Sequence, residues 1–227
     1  DKLVFIKETT GFEKIIIPDL SWGYLTHYSE EFNVVFDKLT STIANSNHTN
    51  RQYPKKIYFT RSHLEKAQLA EIGMDMLDSF FLTNGYEVFA PEKLSLTEMV
   101  LLIQNADILA GASGSTVHNI IFGKRHQKLI IIDRDCMANG FQPGLNLVKQ
   151  IDCTYIDGSL AINQINSGLG PFFYYPTRHL IQFAIENQHQ LPDNIFLEKK
   201  WLTVHLKKYI SVWQKFYKYQ WYIQGEN

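Results

Sequence analysis

Asp107-Ile108-Leu109-Ala110-Gly111-Ala112-Ser113-Gly114-Ser115-Thr116-Val117-His118-Asn119-Ile120-Ile121-Phe122 is the stretch on which the fold turns. Asp107 to Ala110 reads as a short buried strand, Gly111 to Gly114 as a small-residue loop, and Ser115 to about Phe122 as a helix. Lys128-Leu129-Ile130-Ile131-Ile132 follows as the next strand. The same alternation recurs upstream. Lys56 to Thr60 reads as a strand, Met74 to Leu82 as a helix stopped by Asn84-Gly85, Tyr86 to Phe89 as a strand, and Ser95 to Asn105 as a helix. In that last helix Ser95 and Glu98 have the spacing of a capping box. Three strand–helix units in succession predict an α/β chain built on a Rossmann-like, doubly wound parallel sheet with crossover helices on both faces. Sheets of this kind bind ligands beyond the carboxyl ends of their strands.

Outside this core the pattern is simpler. Leu3 to Ile6 and Lys14 to Ile17 read as strands, and the chain enters the first of them directly from Asp1, as a piece of a longer protein would. Glu30 to Ala44 carries Phe32, Val35, Phe36, Leu39 and Ile43 at helical spacing. Asp133 to Pro176, broken by five glycines and three prolines, reads as loops with one or two edge strands. Thr177 to Gln188 and Lys199 to Tyr219 read as helices, the second aromatic on one stripe and lysine-rich between. The expected division is an N-terminal segment over 1–50, a Rossmann-like α/β domain over 51–196 and an amphipathic helix over 197–227.

Composition narrows the function classes. Of 227 residues 45% are hydrophobic and 20% charged, enough apolar material for one large core. Twenty-two Lys+Arg against 23 Asp+Glu disfavour a protein that holds nucleic acid by overall charge. Cys136 and Cys153 are too few for a disulfide framework and lack the paired spacing of a zinc site. No apolar run approaches ~20 residues and no signal-peptide pattern opens the chain. These features predict a soluble protein of a reducing, cytoplasmic compartment. A peripheral membrane contact through residues 199–221 is the second reading of the lysine-flanked aromatic helix.

The residues able to do chemistry cluster on one rim of the expected sheet. A Gly111-Ala112-Ser113-Gly114-Ser115-Thr116 loop between strand and helix lets backbone amides approach a phosphate, with the Ser113, Ser115 and Thr116 hydroxyls as further donors; its structural alternative is a tight, capped turn. Arg61, at the carboxyl end of the strand that starts at Lys56, falls on the same rim and suits a diphosphate. Ser62 and Lys66 lie next to it. His118 and Asn119 face either a ligand at the loop or the sheet. Glu98 is accounted for by its capping box. Asp133-Arg134-Asp135 matches the Asp-x-Asp pattern with which a metal-dependent transferase holds a divalent cation.

The series Ile57-Tyr58-Phe59-Thr60-Arg61-Ser62, Gly73, Asn84-Gly85-Tyr86-Glu87-Val88, Pro91-Glu92-Lys93-Leu94-Ser95-Leu96-Thr97-Glu98, Ala106-Asp107 and Gly111 through Phe122 resembles glycosyltransferase family 61, particularly its bacterial capsular-polysaccharide and surface-glycan branch. The likeness covers roughly residues 55 to 134 and lies in the order of several short motifs. Met99, Ser113, Met74 and Asp133 depart from it, standing where Gln, His, Glu and Asn are usual. What the resemblance implies is a GT-B-type glycosyltransferase, with this chain supplying mainly the C-terminal, donor-binding domain. It further implies transfer from a nucleotide-sugar, most often a UDP-sugar, to a glycan or lipid-linked glycan acceptor, inverting and with no metal and no cofactor beyond the donor. Carried onto this chain, Arg61, Ser62, Lys66 and the loop residues Gly111, Ser113, Gly114, Ser115 and Thr116 would bind the donor diphosphate. Glu98, His118 and Asn119 would line the site; Arg61, Glu98 and His118 are the catalytic candidates, with the base unassigned. The rivals are the metal-dependent transferase using Asp133 and Asp135, and a non-catalytic module that binds a nucleotide-sugar or glycan.

Overall fold

The computed structural model describes residues 5–16, 22–23, 27–46, 51–65, 70–134, 140–160, 162 and 170–224. In chain order its elements are β1 (Trp22–Gly23), β2 (His27–Tyr28), α1 (Glu30–Ser46), β3 (Lys56–Phe59), β4 (Glu71–Ile72), α2 (Met74–Thr83), β5 (Glu87–Phe89), α3 (Leu96–Asn105), β6 (Ile108–Ala112), β7 (Lys128–Asp133), α4 (Gln142–Lys149), β8 (Asp152–Asp157), β9 (Phe172–Phe173), α5 (Arg178–Glu186) and α6 (Lys199–Gln224). A 3-10 turn, Val117–Phe122, joins β6 to β7.

Strands β5, β3, β6, β7 and β8 lie side by side in that order, and every pairing is parallel. Period-two alternation sends successive side chains to opposite faces, so both faces must be covered. On one face Tyr58, Ala110, Ile130 and Ile132 meet Leu77, Phe80 and Phe81 of α2 and Leu180 and Phe183 of α5. Tyr58 and Phe81 stack with ring centroids 4.3 Å apart. On the other face Ile57, Phe59, Leu109, Leu129 and Ile131 meet Val100, Leu102 and Ile103 of α3 and Val117 and Ile120 of the 3-10 turn, with Phe32, Phe36 and Ile43 of α1 packed outside. The sheet is therefore the Rossmann-like, doubly wound arrangement expected from the strand–helix alternation. The chain leaves β3 toward β5 on one side and returns to β6 on the other. The β3/β6 boundary is thus the topological switch point, where open α/β sheets keep their ligand crevice.

A second, smaller ladder sits beside the sheet. β4 pairs in parallel with β9, a hundred residues later, and Ile72 and Phe173 form with Tyr209 a separate apolar cluster against which Trp201, Leu202 and Leu206 of α6 pack. No helix among the described residues is long and apolar enough to cross a membrane.

Several local expectations need correction. Of the strands expected over Leu3 to Ile6 and Lys14 to Ile17, residues 3, 4 and 17 lie outside the described residues, while residues 5, 6 and 14–16 form no strand and their apolar side chains are exposed. Gly111 and Ala112 belong to β6 rather than to a loop, held in register with Phe59 and Ile131. The segment after the loop is a six-residue 3-10 turn instead of an α-helix, which begins at Val117. The region after Asp133 contains α4 as well as the edge strand β8. Its Pro143 stands in the first turn of the helix, where a missing N–H costs nothing.

Candidate functional site

Three carboxyl ends, those of β3, β6 and β7, meet at the switch point, and each contributes. Arg61 follows β3 with only Thr60 between, and Arg134 comes directly after β7. Both turn to one carboxylate, Glu71, which the small ladder delivers on β4. Arg61 Nε donates to Glu71 Oε1 and Oε2 at 2.9 and 3.1 Å, its Nη2 lies 2.8 Å from Oε1, and Arg134 Nη1 lies 2.8 Å from the same oxygen. The Tyr174 hydroxyl donates to Oε2 at 3.2 Å. The Glu71 side chain is 2% exposed, the two arginines 12% and 13%. Burial works against the Arg61 charge, but the Glu71 carboxylate and its hydrogen bonds outweigh it and hold the guanidinium above its ordinary range. Burial, then the neighbouring Glu71 charge, pushes the Tyr174 hydroxyl well up, so it stays a donor.

The loop after β6 closes over this pair. Arg61 Nη1 donates to Thr116 Oγ1 at 3.1 Å. Gly114 has φ +137°, and a Cβ there would stand 3.4 Å from Arg134 Nη2 and 3.6 Å from Arg61 Nη1. Backbone therefore passes directly beside two guanidinium groups, in a conformation that only glycine adopts without strain. Arg134 also lies over the Phe172 ring, 4.4 Å from its centroid. Two guanidinium groups thus share one carboxylate, which orients both forks.

The residues singled out from the sequence fall into distinct environments. Ser62 is tied with Thr60 to Asp78 of α2, which anchors the turn that carries Arg61. Burial raises the Asp78 carboxyl, while hydrogen bonds from Ser62 and Thr60 work the other way. Gly111 packs against Val117 and Phe59 inside the sheet. Ser113 is buried, its amide donating to Ile132 O at 2.9 Å, and Ser115 is exposed. Asn119 spends its side-chain amide on Thr116 O at 2.9 Å, which braces the loop. The His118 ring lies 6.1 Å from that of Phe141. Glu98 forms the capping box with Ser95, whose hydrogen bonds hold its carboxyl below the ordinary range. Lys66 and Asp135 lie outside the described residues. Asp133 shares a cavity with Cys153 and Tyr155, and no group of three or more His, Cys, Asp or Glu able to hold a metal occurs among the described residues.

Sequence reasoning missed Glu71, Arg134 as a cation, and Tyr174. Arg134 had the same signal as Arg61, a basic residue just past a parallel strand, but was read as the middle of an Asp-x-Asp pattern.

An open parallel sheet with two arginines paired on one carboxylate at its switch point defines an α/β protein of the Rossmann-like kind. Residues 5–130, more than half of the chain, match the family model described as Glycosyltransferase 61, and the chain belongs to that family. Membership supports a transferase that takes a sugar from a donor to a glycan acceptor. No curated protein matches the chain.

Proposed function

We propose that the chain is a nucleotide-sugar-dependent glycosyltransferase in which Arg61 and Arg134 neutralise the diphosphate that leaves the donor. The observation that supports this most is the convergence of both guanidinium groups on buried Glu71, beside Gly114 and Thr116, at the switch point. In a direct displacement at the anomeric carbon, negative charge grows on the departing diphosphate, and donors already aimed there need no reorganisation. Two arginines supply the positive charge that a divalent ion supplies in other transferases, so the reaction proceeds without one. Gly114, Ser115 and Thr116 approach the phosphates, while Gly111, Ser113 and Asn119 set the loop and Ser62 fixes the turn of Arg61.

The finer reading follows the family resemblance: a UDP-sugar donor, inversion at the anomeric carbon, a GT-B arrangement with residues 51–196 as the donor-binding domain, and a glycan acceptor of a bacterial capsule, lipopolysaccharide or related polymer assembled in the cytoplasm. The helix over 197–227 would then reach a partner domain or the inner membrane surface.

The test is a thermal-shift series with UDP, GDP, ADP, CMP and dTDP, each with manganese and with EDTA. A ligand at ~100 times its dissociation constant stabilises a fold by about 2.7 kcal/mol, or roughly 5–11 °C at this size. UDP is expected to raise the melting temperature equally in manganese and EDTA, and Arg61→Ala and Arg134→Ala to abolish the rise. A rise that needs manganese refutes the metal-free reading, and no rise with any nucleotide refutes the nucleotide-sugar reading.

A further inference from the structure

We propose that Asp78 on α2 is a positioning residue for Arg61, and that loss of its negative charge slackens the anion site; this rests on the reading of the Arg61–Arg134 site as the seat of the donor diphosphate. Arg61 stands in a turn, and the residues on either side of it are tied to one carboxylate. Before it, the Thr60 hydroxyl donates to Asp78 Oδ1 at 2.7 Å; after it, the Ser62 hydroxyl donates to Asp78 Oδ2 at 2.5 Å. The Ser62 amide closes the turn by donating to Thr60 Oγ1 at 3.0 Å. The main chain is held in step, since the Thr60 amide donates to Phe89 O at 2.9 Å and the Leu64 amide to Arg61 O at 3.0 Å.

Arg61 is thus fixed from two ends. Glu71 takes its guanidinium, and Asp78 takes the main chain that bears it. Hydroxyls that donate to a carboxylate make charge-assisted bonds, about twice as strong as neutral ones. Protonation turns one carboxylate oxygen into a donor, so the hydroxyl facing it must reverse and the turn keeps only ordinary bonds. Thr60 is buried, so as a donor its hydroxyl depends on Asp78 rather than on water. The slack reaches the loop as well, because Arg61 Nη1 also holds Thr116. A misplacement of ~1 Å in a positioned group costs on the order of 10²-fold in rate, and a turn loosened without breaking costs part of that.

The neighbours of Asp78 bear on its charge from every side. Burial favours the neutral form and carries the carboxyl above 3.8 against the Ser62 and Thr60 hydrogen bonds; His63 also works for the carboxylate, and Asp75, one turn earlier on α2, against it. Asp75 Oδ1 lies 3.7 Å from His205 Nε2 of α6, and Lys208 lines the same cleft as Ser62 and Asp75. From the sheet, the buried Tyr58 of β3 lies close enough to feel the Asp78 charge. The negative charge is therefore lost at a higher pH than that of an ordinary aspartate.

The test is nitrogen-edited NMR of the Arg61 Nε–H in the full chain from ~pH 7.5 to ~pH 4.5, with UDP affinity measured by calorimetry over the same range. The Arg61 signal is assigned by its loss in Arg61→Lys. Asp78→Asn keeps the shape and one acceptor oxygen and removes the charge. In the unaltered chain the Arg61 signal should move with the Asp78 carboxyl carbon as the pH falls. In Asp78→Asn it should stand near the acid position already at neutral pH and lose that midpoint. UDP should bind the variant about tenfold more weakly at neutral pH, a ratio that closes toward one in acid, where titration of UDP itself cancels between the two proteins. Ser62→Ala removes one of the two bonds and should displace the Arg61 signal in the same direction, with UDP weakened about threefold. An Arg61 signal unmoved in both variants overturns the proposal, as does a lowered melting temperature with unchanged UDP affinity, since Asp78 is then a structural anchor only. If UDP binds none of these proteins, the nucleotide reading falls, and the Arg61 signal alone decides the role of Asp78.

Discussion

Replacing Glu71 with Gln keeps the volume of the side chain and removes the charge that Arg61 and Arg134 share. Five short contacts converge on that carboxylate, three from the Arg61 fork at 2.8 and 2.9 Å to Oε1 and 3.1 Å to Oε2, one from Arg134 at 2.8 Å and one from Tyr174 at 3.2 Å. Breaking a buried pair by removing one partner costs about 3–5 kcal/mol, since the surviving charge is left uncompensated. Here two guanidinium groups survive, but each keeps some exposure, 12% and 13%, and rehydrates in part, so the lower end applies. About 3 kcal/mol in a chain of this size lowers the melting temperature by roughly 6–12 °C. Scanning calorimetry of the full chain measures it. The variant site also carries one more net positive charge, so millimolar pyrophosphate should restore more of its melting temperature than it adds to the unaltered chain. A drop under about 2 °C refutes the view that the arginines depend on Glu71. Equal pyrophosphate shifts in the two proteins refute the view that the anion meets those arginines.

Gly114→Ala forces a non-glycine residue to φ +137° against two guanidinium groups, so the urea midpoint should show about 1–3 kcal/mol of lost stability together with a lost UDP-induced shift. Retention of both would show that the loop has room to move. Ser95→Ala removes the cap of α3 and should cost about 1 kcal/mol in the same urea titration while leaving UDP binding unchanged. The capping contribution of Glu98 is fully present above its ordinary value of 4.5 and is lost as pH falls through its depressed folded value. His189 packs among Phe80, Tyr86 and Phe183, and burial, then Lys56, holds its pKa below 6.5 against an opposing backbone hydrogen bond at Asn187. The folded state then binds fewer protons than the unfolded one, so stability is full above pH 6.5 and declines as pH falls through that value toward the folded one. His189→Phe should flatten this slope in thermal scans between pH 7 and pH 5, and an unchanged slope would assign it elsewhere.

The sheet was legible because its strands are continuous apolar runs and its helices carry local stops, such as Asn84-Gly85, and a local cap at Ser95. These signals act within a few residues. Arg61 was legible for the same reason, since a residue just past a parallel strand can only stand on the carboxyl rim. Glu71 was not. β4 is two residues long and exists because Phe172–Phe173 pairs with it from far along the chain, and no local pattern encodes a pairing across that separation. The 3-10 turn after β6 was mistaken for an α-helix because Val117, Ile120 and Ile121 suit either period over so short a span. The pairing of His205 with Asp75 was hidden as Glu71 was, since the two stand 130 residues apart in the chain.

The division of labour between the two sheets has a dynamic consequence. Both arginines stand on the large sheet, while their counter-charge stands on the small ladder that also seats α6 through Ile72, Phe173 and Tyr209. A sub-global opening that releases only the ladder and its helix would dismantle the anion site and leave the larger core intact. Amide protons of Ile72, Tyr174 and the first turns of α6 should therefore exchange as one cooperative unit, earlier than those of β6 and β7, and a bound nucleoside diphosphate should slow that unit above all others.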